Sequence, residues 1–204
     1  MSARKVRVFI SSPGDVDEER VKARQVLAVL QRQYGDLVEI VPVMWEDLAI
    51  PATASLQEGI DRLLEERIRV DIAVFILWSR LGNPLGNAVM KRDGSPYLSG
   101  TEREFDMMIA AHESSGVNGP VILAYTREDD EAFSRHLDLR THDEEKLEEM
   151  LRQRRMVKDF IKNKFLDEHG RSLRAYHIYR DPVGFAQRLH AGMNTMWYLH
   201  SHFV

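Results

Sequence analysis

Glu102 and Glu104, within SGTEREFDMMIAA at 99–111, are the residues of this chain best placed to do chemistry. They follow a long loop after an apolar run and fall in what reads as the first turn of a helix. That position lies just beyond the carboxyl end of a predicted parallel strand, the rim on which open α/β sheets bind ligands. A carboxylate there can act as nucleophile or cation stabiliser in the cleavage of an N-glycosidic bond. The same spacing has a structural reading, because Ser99-x-x-Glu102 and Thr101-x-x-Glu104 both spell capping boxes. On spacing alone the capping reading is the stronger of the two.

Three more segments are predicted to reach that rim. The turn FISSPGD at 9–15 has the shape of an anion site. Ser11, Ser12, Pro13 and Gly14 let backbone approach a ligand, and the helix start beyond supplies unpaired N–H groups. It is neither a Walker loop nor a GxGxxG fingerprint, and Ser12 or Asp15 could equally be the helix cap. Trp45-Glu46 and Trp78-Ser79-Arg80 close two further strands. Aromatic rings, a carboxylate and an arginine there would serve a nucleotide-like ligand as stacking surface, ribose acceptor and phosphate partner, although each Trp alone reads as rim packing. The long Arg80–Ser99 loop could be a lid or recognition loop, or plain surface. Asp17, Glu18 and Glu19 read as first-turn acids that complement a helix dipole. His200-x-His202 lacks an accompanying ligand cluster, so no metal site is expected. Neither a Ser-His-Asp elbow nor a zinc-protease motif is present.

The elements that must position these residues follow from hydrophobic patterning. Strands are expected at Val6–Ser11, Leu37–Trp45, Val70–Trp78, Pro120–Tyr125 and Leu173–Tyr179, with Val70–Trp78 apolar enough to be buried on both faces. Pro42 assigns the second strand to an edge, a bulge or a strand end. Helices are expected from about Val16 to Tyr34, Leu56 to Arg67, Gly100 to Ser115, His142 to His169 and Pro182 to Leu199, with a weakly helical charged stretch before the fourth. This alternation implies a doubly wound α/β fold with a five-stranded parallel sheet, right-handed crossovers and an added long helix. One domain over 1–204 is the economical reading, with a core at 5–127 and a helical and strand extension at 128–204.

Composition narrows the function classes. The chain has 204 residues, a net charge of −4 and no cysteine. Disulfides, thiol catalysis and cysteine-ligated zinc are therefore excluded. No global basic field argues for nucleic acid. The basic start MSARKVRVFI is too short for a signal peptide, and no apolar run approaches the roughly 20 residues that span a bilayer, so a soluble cytoplasmic protein is expected. The long helix carries Leu147, Met150, Leu151, Val157, Ile161 and Phe165 at helical spacing, read as core, with self-association a minor alternative. Its Arg and Lys residues interleave with acids at ion-pair spacing and read as a solvated face.

Four separated segments, VFISSPGDVDEER (8–20), VMWEDLAIP (43–51), VFILWSRLGNP (74–84) and SGTEREF (99–105), carry a resemblance. In that order they resemble the prokaryotic TIR-like domains that begin with an "FISSxxD…ER" signature, often N-terminal to NTPase or other signalling modules in defence proteins. The similarity runs through most of 6–125 and continues weakly to about 190. It implies a flavodoxin-like sheet and, as in many relatives, cleavage of the nicotinamide–ribose bond of NAD by a Glu in the helix after the third strand. The family's Glu followed by a large apolar residue matches Glu104-Phe105. The Trp-Cys pair that precedes this Glu in many TIR domains is absent. Separately, Gly100-Thr101-x-x-Glu104 looks like the "GTxxE" segment of nucleoside 2-deoxyribosyltransferases, where the Glu attacks the anomeric carbon.

Both resemblances select Glu104 over Glu102, with Thr101 orienting it or the ribose. The expected function is an NAD-cleaving N-glycosidase in bacterial defence or stress signalling, activated by self-association, with NAD as substrate and no cofactor. An NTPase or sensor module is the expected further partner. A non-enzymatic TIR-like interaction module is the alternative, favoured by the missing Trp-Cys pair, and a deoxyribosyltransferase-like enzyme comes third.

Overall fold

In a computed structural model that describes residues 3–44, 47, 70–85, 89–91, 93–138 and 143–201 (198–201 by backbone only), five parallel strands form one sheet. They are β1 (Arg4–Ser11), β2 (Val38–Met44), β3 (Ile72–Leu77), β4 (Val121–Arg127) and β5 (His177–Tyr179), in the spatial order β2-β1-β3-β4-β5. This is a flavodoxin-like α/β arrangement. The helices are α1 (Asp17–Tyr34), α2 (Gly100–Ser115), α3 (Asp130–Asp138), α4 (Glu144–Phe165) and α5 (Pro182–Ser201). The expected helix at 56–67 lies outside the described residues. Among those described, no helix is long and apolar enough to cross a membrane.

Strand alternation divides the interior into two layers. Val6, Val8, Ile10, Ile72, Val74 and Ile76 face α1 and α5, meeting Leu27, Leu30, Phe185, Leu189 and Met193. Phe9, Ala73, Phe75 and Leu77 face the other way, onto Phe105 and Met108 of α2 and Val157, Phe160 and Phe165 of α4. All six residues of β3 are buried, as a central parallel strand covered on both faces requires. β2 is an edge strand, where Pro42 can pair with Val8 in register without a neighbour on its far side.

Two boundaries differ from the sequence expectation. The helix expected to run to His169 ends at Phe165, because Leu166 turns extended and Asp167 takes over. The Asp167 carboxylate accepts the backbone N–H groups of His169 and Arg171 and the Arg171 side chain, closing a tight turn. The fifth strand is correspondingly short. Leu173, expected to open it, is 61% exposed, and its N–H bonds the Phe165 carbonyl at 2.7 Å rather than a strand. The charged stretch after β4 forms a genuine helix, α3, with Phe133 buried and Asp129 accepting the Ala132 N–H at its start.

Candidate functional site

Strand order reverses between β1 and β3: the chain leaves β1 toward β2 on one side and leaves β3 toward β4 and β5 on the other. The carboxyl ends of β1 and β3 therefore flank the crevice that such sheets use for ligands. Two constellations are built there.

The first centres on Glu104. Ser11, the last residue of β1, alternates onto the same face as Phe9, toward α2. Its hydroxyl donates to the Glu104 carboxylate at 2.5 Å, a buried bond that joins positions 93 residues apart. Glu104 is 6% exposed. It stands one turn into α2, not in the first turn as the sequence suggested, since Ser99 is the cap and Gly100 the first helical residue. Glu102 occupies the first turn and is committed to structure. Its N–H donates to Ser99 Oγ at 3.1 Å, while its carboxylate accepts the Leu98 N–H at 2.8 Å and pairs with Lys91 Nζ at 2.7 Å. The capping box is thus Ser99–Glu102, with the acid reaching back one residue further than usual. Thr101 is the second residue of α2 and not its cap. It is buried against the loop after β3, and a Cβ on Gly82 (φ +114°) would lie 3.1 Å from Thr101 Oγ1. Only glycine suits both that backbone and that approach.

The second constellation is a cleft of about 820 Å³ between the β1 and β3 loops, the end of β4 and the amino-terminal half of α4. Gly14, Trp78 and Arg80 line it, so the structure gathers three of the expected site residues there. Ser11, Thr101 and Glu104 are not on its wall. Ser12 and Pro13 are engaged from behind: Arg20 Nη1 donates to the Pro13 carbonyl at 2.9 Å and to Ser12 Oγ at 3.4 Å. Trp45 and Glu46 lie outside the described residues, as do the side chains of His200 and His202.

Asp15 joins the two loops. Neither it nor Ser12 caps α1, whose N-cap is Val16 with no side-chain bond. Asp15 Oδ2 instead accepts the backbone N–H and the hydroxyl of Ser79, at 2.8 and 2.9 Å. Its Oδ1 is buried without a hydrogen-bond partner. Burial pushes the Asp15 carboxyl above the usual range, and the Ser79 bonds pull back only part of that rise.

Glu19 is more than a first-turn acid. It is buried and accepts from Arg127 Nη1 and the Tyr179 hydroxyl, each at 3.3 Å, which ties α1 to the ends of β4 and β5. Burial raises its carboxyl too, against the opposing pull of Arg127. The Arg127 guanidinium also covers the Trp78 ring, 4.3 Å from its centroid, with His136 6.1 Å away on α3. The cleft wall holds the carboxylates of Asp15, Asp17, Glu18, Glu19, Glu145 and Glu149 against Arg80, Arg127 and Lys146. Several of these acids are matched: Asp17 pairs with Arg20, Glu19 with Arg127 and Glu149 with Arg152.

Sequence reasoning passed over Arg127, His136 and Gln153. Arg127 and His136 fall at the edges of a charged stretch with little periodicity. Gln153 is a polar residue on the buried side of α4, accepting the Leu81 N–H at 3.1 Å. Among the described residues, no group of three or more His, Asp or Glu side chains could hold a metal ion. No protein-family model matches the chain, and neither does any curated protein or solved structure.

Proposed function

We propose that this chain is an N-glycosidase that cleaves the nicotinamide–ribose bond of NAD, with Glu104 as the carboxylate that meets ribose C1′. The observation that carries the reading is the buried Ser11–Glu104 hydrogen bond at the carboxyl end of β1, beside the strand-order reversal. Of the two acids in the segment, Glu102 is spent on the helix cap and Lys91, while Glu104 is held by a group from a distant strand. A carboxylate needed only to start a helix has no reason to be held that way.

The chemistry makes modest demands. The C1′–N bond breaks with its electron pair going to the pyridinium nitrogen, so nicotinamide leaves neutral and needs no general acid. The positive charge that develops on the ribose is stabilised by, or collapses onto, the Glu104 carboxylate. Water then adds at C1′ and loses a proton to give ADP-ribose, or an internal nucleophile gives a cyclic product. Burial keeps bulk water from the carboxylate, which strengthens its attraction for the developing cation. Arg80 and Gly14 on the cleft wall and the first turn of α1, which carries no side-chain cap, are the groups that would meet the pyrophosphate, and Trp78 a base. The TIR-like resemblance supplies the biological setting: bacterial defence or stress signalling in the cytoplasm, with activity switched on by self-association and an NTPase or sensor module as partner.

One observation favours the non-enzymatic interaction module as the second reading: Glu104 is absent from the wall of the cleft. Chromatography of NAD incubated with concentrated or artificially clustered protein separates the two. Nicotinamide release is expected from wild type and from Glu102→Gln, and is expected to be lost in Glu104→Gln, whose amide preserves size but not charge. Equal loss in both variants would remove Glu104 from its role. No release by clustered wild type would leave the interaction module.

A further inference from the structure

Ser11 was expected to cradle an anion, as part of the small-residue turn after β1. Its place in the fold gives it different work. The hydroxyl points to the α2 face, is buried, and donates to Glu104 Oε2. The neighbouring Ser12 and Pro13 meet Arg20 instead, so the turn splits into two functions at the Ser11–Ser12 bond.

Resting on the N-glycosidase reading, we infer that Ser11 is a positioning residue for Glu104, restraining the direction of its carboxylate and favouring its ionised form. The donor is rigidly placed. Ser11 lies in β1, whose ladder pairs it with Phe75 on the central strand and whose other side is paired to β2. The acceptor is not rigid by itself, because the last torsion of a glutamate is broad and nearly two-fold. A fixed hydroxyl at 2.5 Å selects one orientation of that carboxylate out of this range. A hydrogen bond to the charged form also favours ionisation, which a nucleophile or cation stabiliser requires. Both effects act on the chemical step and leave substrate affinity largely alone.

The test compares Ser11→Ala, Ser11→Thr and Glu104→Gln with wild type as clustered full-length protein, with NAD as substrate. Thermal melting and circular dichroism confirm that each variant is folded. Ser11→Ala is expected to lower kcat roughly ten- to a hundredfold, the range for one hydrogen bond to a charged group, with KM within about twofold. Its acid limb in kcat against pH is expected to move to higher pH, and Ser11→Thr, which restores the hydroxyl, to recover most of the rate. In parallel, ¹³C NMR of labelled glutamate carboxyls follows the Glu104 titration, assigned by its loss in Glu104→Gln. That titration is expected to rise in Ser11→Ala. Wild-type turnover in Ser11→Ala, or a loss confined to KM with an unmoved acid limb, overturns the role of Ser11 and leaves the N-glycosidase standing. Absence of nicotinamide release by wild type overturns both, and an unchanged Glu104 titration removes the electrostatic part of the inference.

Discussion

Asp15 shows what a single residue can contribute and what it costs. Its one carboxylate oxygen receives both donors of Ser79 while the other is buried without a partner. Desolvation holds the carboxyl above its ordinary value of 3.8. The folded state therefore binds this proton more tightly than the unfolded chain does. Stability from this group falls as pH rises from the ordinary Asp range through the raised folded value, and the full cost is present at neutral pH. Asn at this position keeps an acceptor for Ser79 and removes the buried charge. Asp15→Asn is expected to raise Tm by about 2 °C at pH 7, with the gain disappearing below the ordinary Asp value, where both states hold the proton. A lower Tm at pH 7 would mean that the charge of Asp15 is compensated, with Arg80 a cation acting on it. The role of Asp15 had only a weak sequence signal: an acid after a Ser-Pro-Gly turn, ahead of a helix, reads as a cap. Its true partner is 64 positions away.

At the scale of elements, α4 does more than cover the sheet. Gln153 is buried and reaches both backbone polarities of the loop after β3. Its carbonyl accepts the Leu81 N–H at 3.1 Å and its amide donates to the Gly82 carbonyl at 3.5 Å. Gly82 in turn packs on Thr101 and Ser99, the start of the helix that carries Glu104. The loop is thus clamped between α4 and α2. Gln153→Leu would leave the buried Leu81 N–H without its acceptor, at a cost of about 1–3 kcal/mol. Urea unfolding should register that loss, and amide exchange should quicken in residues 79–83; unchanged exchange there would show that Gln153 is not the clamp. The helix itself was readable from its spacing, as were the bounds of α2, Gly100–Ser115. The stripe was readable only in part: Leu151 is 39% exposed, while Phe160 and Gln153 take buried places. Periodicity locates a face to within about a residue per turn, and the partner decides which residues at its margin are covered.

Over the whole molecule, Phe105 is where the sheet meets α2 and α4. It packs edge-on against Phe75 of β3 and Phe160 of α4, at 5.2 and 5.3 Å between ring centroids, and tilts onto Phe165 at 5.2 Å. Phe105→Ala should cost about 3–5 kcal/mol, read from urea denaturation as a shifted midpoint in a single transition. A cost below about 1.5 kcal/mol would show that sheet, α2 and α4 are not coupled through this ring. Since Glu104 precedes it in the chain, the same ring fixes the helix that presents the carboxylate. The alternation of apolar strands with amphipathic helices determined the parallel α/β sheet and the burial of β3, and the missing N–H of Pro42 narrowed β2 to an edge, a bulge or a strand end, of which the fold took the edge. Spacing alone left Glu102 and Glu104 as equivalent caps, and left Ser11–Gly14 as an anion loop with Ser12 or Asp15 as the alternative cap. Only the tertiary structure separated them. Glu102 turned back to its own cap and Lys91, Glu104 met Ser11, Ser12 met Arg20 and Asp15 met Ser79. Pattern along a chain records which face is apolar, whereas the partner of a polar group is set by whichever distant donor the packed layers bring within hydrogen-bond reach.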